Sequence, residues 1–166
     1  MPKIVVALGS NLNDPVHQIR RAIKLLRQPF PDLRVSPLVA NPPMYEEDQP
    51  DFVNGILTAE TQMAPLEVFG TLKTAEYMLG RRPGPRNGPR VIDLDLVLYG
   101  CVHYFFKFSD GSDLTVPHPR LRERGFVLQP WMLLDAEATL PEGEKIANLW
   151  HQLGQAPFHV IADVEF

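Results

Sequence analysis

Cysteine is nearly missing from this 166-residue chain, with Cys101 the sole example. No internal disulfide and no cysteine-held metal cluster can form, which suits a reducing compartment. Long apolar runs are missing too. The first, Ile4 to Leu8, is too short for a signal peptide or a membrane span. We therefore expect a cytoplasmic protein that does not engage membranes. Net positive charge is absent: 16 Lys and Arg against 20 Asp and Glu leave -4, which argues against a general nucleic-acid binder. Neither a Gly-x-x-x-x-Gly-Lys-Ser/Thr loop nor Gly-x-Gly-x-x-Gly occurs, so P-loop and Rossmann nucleotide binding are unsupported. Gly-x-Ser-x-Gly is absent as well, and no internal repeat is visible.

What the chain does have is proline, 17 residues, placed mostly in pairs or beside Gly, Asn and Asp, where they mark loops. The length fits one domain over residues 1–166 with a sizeable core. Lys3 to Leu8 is a continuous β-branched run, a central strand. Asp14-Pro15 caps a helix whose Val16, Ile19, Ile23 and Leu26 recur at helical spacing. Leu33 to Ala40 reads as a second strand and Phe52 to Ala59 as a third, with a proline loop over 41–50 between them. Pro65 opens a second helix that ends at Gly80. A strand containing Asp93 and Asp95 follows. Strand, helix, strand, strand, helix, strand is the ferredoxin-like order. We expect an α+β fold: a βαββαβ core with an antiparallel sheet, both helices on one face, and a C-terminal α/β extension. That extension should hold a hairpin over Tyr104–Val116, a partly helical Arg120–Leu134 broken around Gly125 and Pro130, a short helix over Ile146–Leu153, and an edge strand over His159–Val164.

The informative stretch is Gly88-Pro89-Arg90-Val91-Ile92-Asp93-Leu94-Asp95-Leu96-Val97-Leu98. Alternation puts Asp93 and Asp95 on one face, about 7 Å apart along the backbone. Ile92, Leu94, Leu96 and Leu98 then face the opposite way, into a core. Two carboxylates on an otherwise apolar strand repel each other and resist burial, and a divalent cation such as magnesium would relieve both. Arg81, Arg82, Arg86 and Arg90 lie just upstream with no acid among them. Acid pair and arginine loop together suggest a polyphosphate site. The plainer alternative is a strand with a solvated polar face beside a solvated basic loop. Arg82 and Arg86 fit that alternative. His118, between two prolines, could bind phosphate, move a proton or cap a helix. Phe126 could stack on a flat ring or simply be core. A heterocycle could satisfy the amide of Asn54, as could backbone near a turn.

These motifs together resemble the 6-hydroxymethyl-7,8-dihydropterin pyrophosphokinases of folate biosynthesis. Ala7-Leu8-Gly9-Ser10-Asn11-Leu12, Asn41-Pro42-Pro43-Met44, Asp48 to Asn54, Gly88 to Leu96, Val116-Pro117-His118 and Arg124-Gly125-Phe126 follow in family order. The resemblance implies diphosphate transfer from ATP to the pterin hydroxymethyl group, releasing AMP. It implies two Mg2+ ions on Asp93 and Asp95, with Arg81 and Arg90 as catalytic clamps on phosphate. Lys73, Glu76, Arg81, Arg90, Leu96, His118 and Arg124 would line the ATP side. Asn41, Pro42, Pro43, Met44, Phe52, Asn54 and Phe126 would hold the pterin, with Phe52 and Phe126 on its two faces. Loops 42–50 and 81–90 would be lids, and the protein would act as a monomer. Several positions depart from the family: Lys73 stands for a usual Gln, Asn87 for Trp, Asn41 for Thr and Pro119 for an aromatic. Pro83 displaces an arginine, and 103–113 is longer. The lid changes keep a rival open, a member that binds pterin or nucleotide without chemistry. A ferredoxin-like RNA binder is the third reading; acids stand where stacking aromatics would be needed.

Overall fold

The computed structural model describes residues 1–161 and 164–166. Its main sheet is six-stranded, with Asp93–Tyr99 at one edge, then Lys3–Ser10, Phe52–Glu60 and Leu38–Asn41, and His159–Ile161 at the other edge; Arg34–Val35 also pairs with Phe52–Glu60. The strands are β1 (Lys3–Ser10), β2 (Arg34–Val35), β3 (Leu38–Asn41), β4 (Phe52–Glu60), β5 (Asp93–Tyr99) and β8 (His159–Ile161). Every pairing is antiparallel. Between them run α1 (Pro15–Leu26) and α2 (Pro65–Met78). A separate hairpin, β6 (Tyr104–Lys107) with β7 (Asp113–Val116), follows β5. Then come a 3-10 turn (Leu121–Glu123), α3 (Gly125–Leu134) and α4 (Ile146–Leu153). Among the described residues no helix is long and apolar enough to cross a membrane.

The sheet is buried on both faces. On one side Ile4, Val6, Leu8, Leu94 and Leu96 meet Ile19, Ile23 and Leu26 of α1 and Val68 and Leu72 of α2. On the other, Val5, Ile56, Val97 and Leu98 meet Val127, Leu128 and Trp131 of α3 and Leu149 and Trp150 of α4. Each fully buried Leu or Ile contributes roughly 1.5–3 kcal/mol. That is how β5 carries two acids on one face: Leu94 and Leu96, 0% and 3% exposed, anchor it on the other. The core thus has α1 and α2 on one face, as expected, while the extension supplies the helices that roof the second.

Four local expectations change. Leu98 does not join Leu94 and Leu96. Val5 pairs with Leu98 and Val6 with Leu96, so Val97 is an extra residue, a β-bulge. The bulge carries Val97 and Leu98 into the second core. The segment Leu33–Ala40 is two short strands, because Pro37 has no N–H for the ladder. The Ser36 hydroxyl fills the gap by accepting from the Ile56 N–H at 2.8 Å. Pro130 does not break α3; burial of Val127, Leu128 and Trp131 around it outweighs one lost backbone bond. The interruption expected near Gly125 is real: the 3-10 turn ends at Glu123 and α3 starts at Gly125, where a Cβ would lie 2.9 Å from the Trp150 ring. Finally, β8 covers His159–Ile161; residues 162 and 163 of the expected edge strand lie outside the described residues.

Candidate active site

Two cross-strand rungs form the floor. Asn54, Gly9 and Asp93 share one; Ile56, Ala7 and Asp95 share the next. Small residues at the middle position leave open space above β1. Gly9 is required there, since a Cβ would sit 2.7 Å from Asn54 Oδ1. Over these rungs lies a cleft of about 640 Å³, lined also by Asn41, Pro43, Met44, Phe52, Arg90, Arg124 and Phe126. Pro42 is outside it and serves through its carbonyl, which accepts from Asn41 Nδ2 at 3.1 Å. Asn41 Oδ1 in turn accepts from Asn54 Nδ2 at 2.6 Å, which fixes the buried Asn54 amide.

Asp93 and Asp95 point to the same side, into this cleft. Two like charges about 7 Å apart repel by about 2 kcal/mol at the effective dielectric of a protein surface. The surroundings separate the two acids. Burial pushes the Asp93 carboxyl up, but Arg90, Arg81 and Lys73 overcome it and hold it at about 2. Arg81 Nη1 donates to it at 2.5 Å and Arg90 Nη1 at 2.9 Å. For Asp95, burial and then the Asp93 charge push the carboxyl up, and Lys73, Arg124 and Arg90 do not offset them. Glu76, 4% exposed on α2, reaches under β5. It accepts from the Leu94 N–H at 2.7 Å, from Arg81 at 2.9 Å and from Lys73 at 3.2 Å. Burial, against Lys73, raises its carboxyl.

A second cleft continues past Asp95, lined by Phe69, Lys73, Leu96, Thr115 and His118. The bulge builds its far wall: the freed Val97 carbonyl accepts the His118 N–H at 2.8 Å. His118 Nδ1 accepts from the Arg120 N–H at 3.1 Å. Burial, then Arg124 and Arg120, depress this imidazole to about 4. It is neutral at neutral pH, with its proton on Nε2. Arg124 lines the main cleft, and its Nε is buried with no hydrogen-bond partner among the described residues. Arg82 and Arg86 are exposed; Arg82 stacks on Tyr77 at 3.9 Å.

Sequence reasoning assigned no role to Asn11, Gln49 or Tyr45, which hold the rim. Asn11 Nδ2 donates to Gln49 Oε1 and to the Pro50 carbonyl, both at 2.9 Å, and its Oδ1 accepts from the Arg90 N–H at 2.9 Å. Gln49 Nε2 donates to the Asn87 carbonyl at 2.8 Å. One amide thereby ties loop 42–50 to loop 81–90. Tyr45 donates to Glu123 at 2.9 Å. A signal existed for Asn11, a polar residue ending a buried strand; none existed for its partners, which lie 38 and 79 positions away.

Asp93 and Asp95 fit a divalent cation. They offer hard oxygen donors on one face, and a dication between them would remove their repulsion. Among the described residues no third His, Cys, Asp or Glu joins them. The other ligand positions would fall to water or phosphate.

Comparison with known proteins identifies the family. The family model for 7,8-dihydro-6-hydroxymethylpterin-pyrophosphokinase (HPPK) matches residues 5–136. The 2-amino-4-hydroxy-6-hydroxymethyldihydropteridine pyrophosphokinase of Pseudomonas aeruginosa is 38% identical over 162 residues, 96% of this chain and 94% of that protein. The mitochondrial folate synthesis bifunctional protein of Pisum sativum is 41% identical over 151 residues; they make up 90% of this chain and only 28% of that protein. The solved Plasmodium falciparum HPPK-DHPS shares the fold, with a TM-score of 0.71 at 13% identity; the match covers 91% of this chain and 44% of that one. The chain belongs to the 7,8-dihydro-6-hydroxymethylpterin-pyrophosphokinase family.

Proposed function

We propose that this chain, as one domain over residues 1–166 and as a monomer, transfers diphosphate from ATP to the hydroxymethyl group of 6-hydroxymethyl-7,8-dihydropterin. The substrate hydroxyl attacks the β-phosphorus. The bond from that phosphorus to the α,β-bridging oxygen breaks, AMP leaves, and the hydroxyl proton is released. The observation that carries this reading is the acid pair between two kinds of cavity. On one side lie Asn54, Phe52 and Phe126, an amide and two aromatic rings suited to a flat heterocycle. On the other lie Lys73, His118 and Leu96, with Arg81 and Arg90 at the acids themselves.

Each group has a task. The Asn41–Asn54 pair presents a fixed amide edge to the pterin. Arg90 and Arg81 are placed to take phosphate oxygens; both already bond a carboxylate, so their orientation is set in advance. Arg124 Nε, which has no partner among the described residues, and the His118 Nε2–H supply further donors for an anionic tail. Asp93 and Asp95 would hold two Mg2+ ions, which withdraw charge from the transferring diphosphate when bound. Positioning and charge stabilisation suffice for such a transfer; no covalent nucleophile is needed. The compartment in this reading is the cytoplasm, supported by the single cysteine, whereas the pea relative is named mitochondrial.

The test is product analysis with purified chain, ATP, magnesium and the hydroxymethyl pterin. AMP and the pterin diphosphate are expected in equal amounts. ADP would reject diphosphate transfer, and ligand binding without AMP would favour the non-catalytic reading.

A further inference from the structure

Six charges meet between α2 and β5, three of each sign: Glu76, Asp93 and Asp95 against Lys73, Arg81 and Arg90. Glu76 is the hub. Through bonds to Arg81 and Lys73 it fixes one cation beside each acid of β5. The two cations are used differently. Arg81 donates directly to Asp93 at 2.5 Å. Lys73 is held back by Glu76 at 3.1 Å and by the Leu94 carbonyl at 3.3 Å. Its ammonium therefore stands 3.8 Å from Asp95, beyond hydrogen-bonding distance but well within Coulomb range. The Phe69 ring, 5.4 Å away, backs the same ammonium. Asp95 accepts no hydrogen bond from the protein among the described residues. Lys73 is thus its nearest charge partner, neutralising it without occupying its oxygens.

We propose that Lys73 is a fixed counter-cation for Asp95, a positioning residue that lowers the affinity of the acid pair for a divalent cation until a nucleotide tail is present. The proposal rests on the metal-holding role of Asp93 and Asp95 given above. A positive charge this close to a ligand oxygen opposes an incoming dication. The same charge attracts a polyphosphate. Once phosphate oxygens enter the space above Asp95, a dication there lies among negative groups and the opposition is offset. The metal then arrives with the nucleotide, not ahead of it, and the free site does not trap cations. Lys73 is able to hold this position because three oxygens other than those of Asp95 orient it.

Manganese binding to the full chain, followed by calorimetry without nucleotide, tests this apart from turnover. Lys73→Gln and Lys73→Met remove the charge and are expected to bind Mn2+ about tenfold more tightly than wild type. Lys73→Arg keeps the charge and is expected to bind like wild type. With a non-hydrolysable ATP analogue present, the advantage of the neutral variants should shrink to about twofold or reverse. Melting without metal establishes that each variant is folded, and Lys73→Met serves if Lys73→Gln is not. Equal or weaker Mn2+ binding by the folded neutral variants would overturn the role of Lys73 while leaving the acid pair as a metal site. Mn2+ binding by the double variant Lys73→Gln, Asp95→Asn as tight as by Lys73→Gln alone would instead overturn the metal site itself.

Discussion

Between α2 and β5, Glu76 accepts three hydrogen bonds and Asp93 two, all from charged groups or buried backbone. Across the mouth of the same cleft, loops 42–50 and 81–90 are joined by the amides of Gln49 and Asn11, and the neighbours of Gln49 from Glu46 to Asp48 are exposed. The floor is built before any ligand arrives; the rim is held by a few bonds, most of them between neutral amides and backbone. Donors that stabilise developing charge do most when they need not reorganise. Segments that must admit and release substrates come from the weakly held part of a fold. The contrast therefore divides the site into a part that acts on charge and a part that admits ligand.

The sharpest way to break that division is Asp95→Ala. Asp95 accepts no hydrogen bond from the described residues and is pushed up by burial and by Asp93, so the fold should lose nothing by its removal. We expect turnover to fall about a thousandfold, the scale of losing one preorganised electrostatic group, with an unchanged or higher melting temperature. A variant with wild-type turnover would show that the floor does not act on charge. Glu76→Gln probes the opposite property. It keeps the shape but takes the charge from beneath two cations, leaving Arg81 and Lys73 undercompensated. A stability loss of about 3 kcal/mol is expected, as for a broken buried pair, read from urea unfolding. A loss under about 1 kcal/mol would mean that the hub is replaceable.

The two regions also differ in how far sequence reveals them. Floor residues follow from period-two alternation: Asp93 and Asp95 face one cleft because Leu94 and Leu96 are buried opposite them. The same alternation fails three residues later at Leu98, because a bulge at Val97 depends on the register of β1 against β5, a long-range property. Leu33–Ala40 reads in sequence as one strand despite Pro37, and the repair by the Ser36 hydroxyl is not legible, since its partner Ile56 lies 20 positions on. The pairing of Asp93 with both Arg81 and Arg90 was hinted at by the nearby arginines. Nothing local to Gln49 indicated that it would meet Asn11 and Asn87. Contacts within one element or across one turn are legible; contacts made by loops folding over a sheet are not.

Asn11→Ala tests the rim at its base. Three hydrogen bonds disappear, and the Arg90 N–H loses its partner. We expect a stability loss of about 2 kcal/mol. Because loop 42–50 is released, the KM for pterin should rise by more than kcat falls. An equal fall in kcat with KM unchanged would place Asn11 with the floor and erase the distinction drawn here.

His118 stands where floor and rim meet, its N–H on Val97 of β5 and its Nδ1 on the Arg120 N–H beside the 3-10 turn. Burial, then Arg124 and Arg120, depress its imidazole to about 4 against an opposing pull from Asp93. The unfolded chain, with an ordinary value near 6.5, binds a proton that the folded protein refuses. Stability from this group is therefore complete above pH 6.5 and drains away as pH falls toward 4. The ring is partly open to solvent, so we discount the contribution to about 1 kcal/mol. In His118→Asn the amide oxygen can take the place of Nδ1 as acceptor, which separates the proton from the hydrogen bond. Between pH 7.5 and 5, wild type should lose about 1 kcal/mol more than the variant in urea unfolding. Parallel profiles would mean that the ring titrates alike in both states and that the positive field of the rim does not reach it.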